Sequence, residues 1–218
     1  MPYVNEEFTM GYSSIDNEGN VYIQGKVYSK LSKKAENAEY EYHIIRISDR
    51  GAKVNDQEVK IEDMFINDMV FDEYRGKVRL IGLYSNKSTK KAGGLVLITL
   101  NSSNGEIGTM NKVPYSPDLF SEFRTEKQQA KVDKKKAKGK EETELYEYDI
   151  RNVVYHADGS FDVFSEQNYM FITYQTVSNG NGGTTMKTIY NYVYNDVVAT
   201  RFDANDTIFD YSYSQASA

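Results

Sequence analysis

The sequence predicts an all-β domain built from about three copies of one four-stranded antiparallel unit. Three observations carry that reading. The 218 residues include 19 Tyr and 10 Phe, with 15 Gly and only 3 Pro. Aromatic and β-branched residues suit half-buried strands, and Gly- and Asn-rich joints between them supply turns. A glycine turn that runs straight into a strand occurs three times. A strand, a polar turn and a second strand follow each occurrence, in the same order.

The glycine turns are "DNEGNVYIQG" (16–25), "EYRGKVRLIG" (73–82) and "HADGSFDVFS" (156–165). Aligned on Gly19, Gly76 and Gly159, they place Val21, Val78 and Phe161 two residues on. Ile23, Leu80 and Val163 come four residues on, and a small residue (Gly25, Gly82 or Ser165) six residues on. Apolar residues two apart mark one face of a strand. The glycine supplies the positive φ that such a turn needs. These six apolar residues are therefore the expected core face of every unit.

The second landmark is "IIRISDRGAKV" (44–54), "LITLNSSNGEI" (97–107) and "ATRFDANDTIF" (199–209). Each ends a strand at Ile47, Leu100 or Phe202, turns through polar residues, and restarts at Val54, Ile107 or Ile208. The interval from the second to the third glycine exceeds the first by about 25 residues, the length of a charged insert near 122–146. The units are thus expected at about 8–60, 61–115 and 147–214, with the insert at about 116–146. Together they form a single domain spanning 1–218.

"DNEGNVYIQG" resembles the D-x-x-G-N-x-Y-x-x-G turn and strand of β-propeller repeats in bacterial exported proteins, and "RISDRGAKV" is similar to the turn between the third and fourth strands of such blades. The second unit departs from the pattern with Arg75-Gly76-Lys77, and the third with Asp158-Gly159-Ser160. The chain has no Trp, so it lacks the Trp-Asp pair of one large propeller class. The resemblance implies a β-propeller-like array, a partial propeller of three blades, and an exported protein, periplasmic or at the cell surface. Propellers close with about 4–8 blades. Three blades therefore imply self-association, a missing remainder of the chain, or an open stack with exposed edges.

The insert opens with Ser116 as N-cap and Pro117 at the first helical position. Leu119, Phe120 and Phe123 then give a short apolar stripe at helical spacing. A helix is expected from about 117 to 135, ended by Gly139. The lysines between Lys131 and Lys140 read as a solvated charged excursion.

Composition excludes several classes of function. Without Cys there is no disulfide framework and no thiolate metal site. A formal net charge of −6 argues against general nucleic-acid binding. No apolar run approaches the roughly 18 residues of a membrane span, and "MPYVNEEFTM" shows no signal-peptide pattern.

The search for chemistry returns no catalytic, cofactor-binding or metal-ligating residue. His43 and His156 are the only histidines. Neither has metal-ligand spacing to a second ligand, and both read as structural. There is no P-loop, dinucleotide fingerprint or nucleophile elbow. The acidic turns at 16–20 and 203–210 carry oxygen ligands but not the spaced calcium loop, and Asp and Asn are ordinary turn formers. Alternation puts Tyr190, Tyr192 and Tyr194 on one face, expected to pack unit against unit. The stretch 175–188 is expected to be a hairpin tip.

The functional expectation is a non-enzymatic binding or scaffold domain that recognises a protein or glycan, with contacts in the loops at 29–40, 84–93 and 175–188. The alternative is part of a glycan-active hydrolase or lyase whose catalytic residues the sequence does not single out.

Overall fold

The computed structural model describes residues 7–28, 40–59, 65–86, 91–101, 103–116, 130, 134, 144–178 and 183–214. Strands make up 77% of the structure, so the all-β expectation holds. The first unit is the meander β1 (Glu7–Ile15), β2 (Val21–Tyr28), β3 (Tyr40–Ser48) and β4 (Lys53–Val59). The second has β5 (Phe65–Tyr74), β6 (Lys77–Ser85), β8 (Gly94–Leu100) and β9 (Ile107–Pro114). The third has β11 (Tyr148–Tyr155), β12 (Phe161–Ser178), β13 (Thr184–Phe202) and β14 (Ile208–Ser214). Each unit is one four-stranded antiparallel sheet with its strands in sequence order. A two-stranded patch joins β7 (Lys91–Ala92) to β10 (Leu145–Tyr146).

The three glycines occupy the same turn, between the first and second strands of each unit, with φ of +81° at Gly19, +76° at Gly76 and +91° at Gly159. The first and third turns share a hydrogen-bond pattern. Asp16 N donates to Asn20 O and Gly19 N to Asp16 O, just as His156 N donates to Ser160 O and Gly159 N to His156 O. The second unit is tighter. Tyr74 pairs directly with Lys77, and Arg75 and Gly76 both have positive φ, the geometry of a two-residue type I′ hairpin. That shortening accounts for its departure from the motif.

Two apolar seams hold the units together. Tyr22, Tyr42, Ile44 and Val59 of the first unit pack on Val78, Leu80, Val96 and Ile98 of the second. Ile81, Leu83, Leu95 and Leu97, from the other side of the second unit, pack on Phe161, Val163, Val198 and Phe202 of the third. The middle unit is therefore covered on both faces. Its central strands, "VRLIGLYS" and "GLVLITL", are buried almost without a break rather than in alternation, and are apolar apart from Arg79, Ser85 and Thr99. The first strands of successive units also touch, β1 against β5 and β5 against β11.

Polar contacts repeat along the stack. Asn17 of the first glycine turn donates to Glu73 beside the second (2.9 Å), while Tyr74 and Arg75 donate to the His156 and Ala157 carbonyls of the third. The half-buried ammonium of Lys26 donates to Asn67 O and joins the first two units. Asp68 accepts from Ile150 N (2.9 Å) and joins the second to the third.

The core expectation needs one correction. Val78, Leu80, Phe161 and Val163 are no more than 1% exposed, but Val21 and Ile23 are only half-buried. Tyr22 and Gln24, on the opposite face of β2, are buried, as is Val27 near the end of the strand. What differs is the neighbour: in the second and third units this face is covered by the preceding unit, and the first has none among the described residues.

Of the helix expected over 117–135, Ala130 and Lys134 are described, and both have helical backbone. The rest of that helix, Gly139, the other lysines and the loop 29–39 lie outside the described residues.

Candidate protein-binding ribbon

The β12–β13 hairpin is far longer than the sheet that holds it. β11 pairs with β12 as far as Gln167, and β14 pairs with β13 from Val197. Beyond that point, among the described residues, 168–178 pair as strands only with 184–194, from Asn168↔Tyr194 out to Ser178↔Thr184. At about 3.3 Å per residue, this two-stranded ribbon extends roughly 35 Å past the sheet. Both strands are dense in Tyr, Ile, Val and Thr and hold neither Gly nor Pro, which keeps them extended. A register shift between Glu166 and Asn168 separates ribbon from sheet and turns the hairpin out of the core.

Pairing decides which side chains share a face. Met170 lies opposite Tyr192, Ile172 opposite Tyr190, and Thr176 opposite Met186. Tyr174 and Tyr194 belong to the same face. All of these apolar side chains are open to solvent: Tyr192 and Met186 are 68% exposed, Tyr174 65%, Tyr194 61%, Tyr190 57%, Met170 48% and Ile172 42%. The expectation that Tyr190, Tyr192 and Tyr194 pack unit against unit is therefore overturned. They extend beyond the region where the neighbouring unit gives cover. Within the expected hairpin tip at 175–188, β12 runs to Ser178 and β13 starts at Thr184, so strand occupies more of it than a loop would; 179–182 lie outside the described residues. On the reverse face Asn191 Nδ2 bridges to Phe171 O (3.3 Å) and Thr173 Oγ1 (3.0 Å), clamping the two strands together.

The ribbon contains one charged residue, Lys187. A long, β-prone, nearly uncharged ribbon with an open aromatic face is an aggregation hazard, and natural edges are normally blunted by charge. Contiguous exposed apolar surface of this kind is found at interaction sites and at aggregation-prone edges.

Buried charge elsewhere serves structure. Burial raises the pKa of the Asp68 carboxyl above the ordinary range, against hydrogen bonds from Ile150 N and Met69 N. The bond from Ile150 N ties β5 to β11. Burial lowers the Lys26 ammonium, with Asp68 and Asp149 opposing the shift. A cavity of about 180 Å³ opens beside this seam, lined by Tyr12, Val70, Phe71, Asp72, Arg151, Asn152 and Val153. Asp68 does not line it.

The acidic turns use their carboxylates locally. Asp16 Oδ1 accepts from Glu18 N and Asn20 N, and Asp203 Oδ1 from Asn205 N and Thr207 N. His43 Nδ1 lies 2.9 Å from Asp56, and His156 Nε2 lies 2.9 Å from Asp162. Among the described residues no cluster of three or more His, Asp or Glu is arranged to hold a metal ion, and no helix is long and apolar enough to cross a membrane. In the 84–93 segment, β7 pairs with β10, so the chain returning from the insert is pinned to the second unit.

Comparison with protein-family models, curated proteins and solved structures finds no match to this chain.

The ribbon was the feature sequence reasoning missed, although a signal for it was present. The stretches 161–178 and 184–202 are rich in β-prone residues and hold neither Gly nor Pro, and each is more than twice as long as a usual strand of about 5–6 residues.

Proposed function

We propose that this chain is a non-enzymatic binding domain, a propeller-like stack of blades whose β12–β13 ribbon receives a protein partner. The observation that carries it is the ribbon's face of Met170, Ile172, Tyr174, Tyr190 and Tyr192, exposed and bearing no charge. Tyr and Met suit protein recognition, because they combine large apolar area with an adaptable or hydrogen-bonding tip. The outer edges of 169–177 and 185–193 pair with no described strand. Their backbone N–H and C=O groups suit an extended peptide added as a further strand, with alternate side chains meeting the aromatic face.

The propeller-like arrangement is supported by the repeated four-strand order, by contact between successive first strands, and by glycine turns linked one to the next. A scaffold of this kind fixes the ribbon's base while its outer part stands clear.

The test is peptide display on the folded chain, counter-selected against the double variant Tyr190→Ser/Tyr192→Ser, with a glycan array run in parallel. The reading predicts extended peptides with alternating apolar residues that bind the wild type and not the variant. Peptide binding indifferent to the variant, or variant-sensitive binding found only on the glycan array, would overturn it.

A further inference from the structure

The two internal interfaces share one construction, and the chain carries both halves of a third. Consider the row of side chains two residues after each glycine. It pairs Val78 with Leu100 in the second unit and Phe161 with Phe202 in the third. All four are at most 3% exposed, because the preceding unit covers them. In the first unit the same row runs Ile15, Val21, Ile47, Val54 across all four strands. Nothing described covers it: Ile15 is 66% exposed, Val54 58%, and Val21 and Ile47 are half-buried.

The opposite face repeats as well. Three residues after each glycine lies a cross-strand pair that contains one arginine: Tyr22–Arg46, Arg79–Thr99 and Asp162–Arg201. In the first two units that arginine reaches forward to the third-to-fourth-strand turn of the next unit. Arg46 packs against Gly105 so closely that a Cβ there would have no room. Arg79 pairs with Asp206 at 3.1 Å, and its guanidinium lies 5.2 Å from the Phe161 ring centroid. Gly105 and Asp206 are equivalent, each at positive φ just before the fourth strand restarts. Arg201 holds Asp162 at 2.6 and 2.8 Å, and its side chain is 44% exposed. With Phe164 and Ala199 it lines an open cavity of about 210 Å³.

We propose that a second copy of this chain occupies these faces, head to tail. The Arg201 face of one copy seats on the Val21–Ile47 row of the other, and its guanidinium reaches the turn at 49–51. The occupant follows from the repeat. The face that fits such a row is, in both internal interfaces, the arginine face of a unit, and among the described residues the uncovered example is on the third unit. A heterologous contact of this kind closes into a ring or runs on as a filament. Two copies supply six units, within the roughly 4–8 that close a propeller. The ribbon takes no part, so this inference stands apart from the proposed function.

The experiment measures mass by light scattering across a concentration series for the wild type, for Val21→Lys, for Ala199→Glu and for an equimolar mixture of the two variants. The wild type is expected to assemble, and each variant alone to be monomeric. The mixture is expected to regain assembly, because each partner keeps one intact face and the introduced lysine and glutamate oppose each other at the other. Circular dichroism checks that both variants are folded, and Tyr192→Ser, on the ribbon, is expected to assemble as the wild type does. A wild type that stays monomeric throughout, assembly that survives either end variant, a mixture that does not recover, or assembly lost only in Tyr192→Ser would each overturn the proposal.

Discussion

The inner and outer halves of the β12–β13 hairpin are continuous in covalent structure and opposite in environment. Phe161 and Val163 are fully buried and stand in the seam against the second unit, with Phe161 stacked on Phe202 at 4.9 Å. Ten residues later, Phe171, Ile172 and Tyr174 on the same strand lie in solvent. Pairing between the two strands continues throughout. Burial is therefore not a property of the strand; it comes from the neighbouring unit. In a stack of this kind each unit depends on the next, and whatever extends past the neighbour stays uncovered.

The largest expected effect breaks the inner half. Phe161→Ala should cost about 3–5 kcal/mol, and Leu80→Ala about 2–5 kcal/mol, the range for large-to-small changes in a packed core. Tyr192→Ala on the outer half should stay within about 0.5 kcal/mol of the wild type. Urea titrations of the three variants check this. Equal midpoints would mean that the two halves do not differ as described.

A smaller contrast separates an ion pair buried on both sides from one whose arginine is exposed. Arg79 and Asp206 are both buried, and Lys77 also reaches Asp206. Arg79→Met should cost on the order of 3 kcal/mol, because it leaves a buried carboxylate short of a partner. In the pair between Arg201 and Asp162 the carboxylate is buried and also meets His156, but the arginine is 44% exposed and water can take its place, so Arg201→Met should cost less than Arg79→Met in the monomer. Thermal melts of both variants give the comparison.

The smallest effect is in pH dependence. The hydrogen bond from Arg201, with His156 adding to it, holds the Asp162 carboxyl below its ordinary range. A carboxylate lowered by folding stabilises the fold above its unfolded pKa of about 4, and that contribution is lost as pH falls through the folded value. Asp162→Asn should flatten this part of the acid limb in pH-dependent urea midpoints, with little change near neutrality.

Much of the architecture was legible in the sequence. Gly19, Gly76 and Gly159 marked equivalent turns because a positive φ restricts residue choice wherever it recurs. Val78, Leu80, Phe161 and Val163 were readable as core because period-2 alternation identifies a face. Alternation does not say what covers that face. Val21 and Ile23 belong to the right face, but no preceding unit covers it among the described residues. Tyr190, Tyr192 and Tyr194 alternate just as core residues do, yet they lie past the edge of the neighbouring sheet. The contact between β7 and β10 depends on where the chain returns after the insert, which no local pattern records.

The most direct measurement of the central claim is native-state hydrogen exchange read by mass spectrometry, with and without a peptide selected for binding. Without peptide, amides of 78–84 and 94–100 should exchange only through global unfolding, and amides of 169–177 and 185–193 orders of magnitude sooner. Bound peptide should slow exchange in the ribbon and leave the glycine turns unchanged. A ribbon already as protected as β6, or peptide protection that falls elsewhere, would contradict the account.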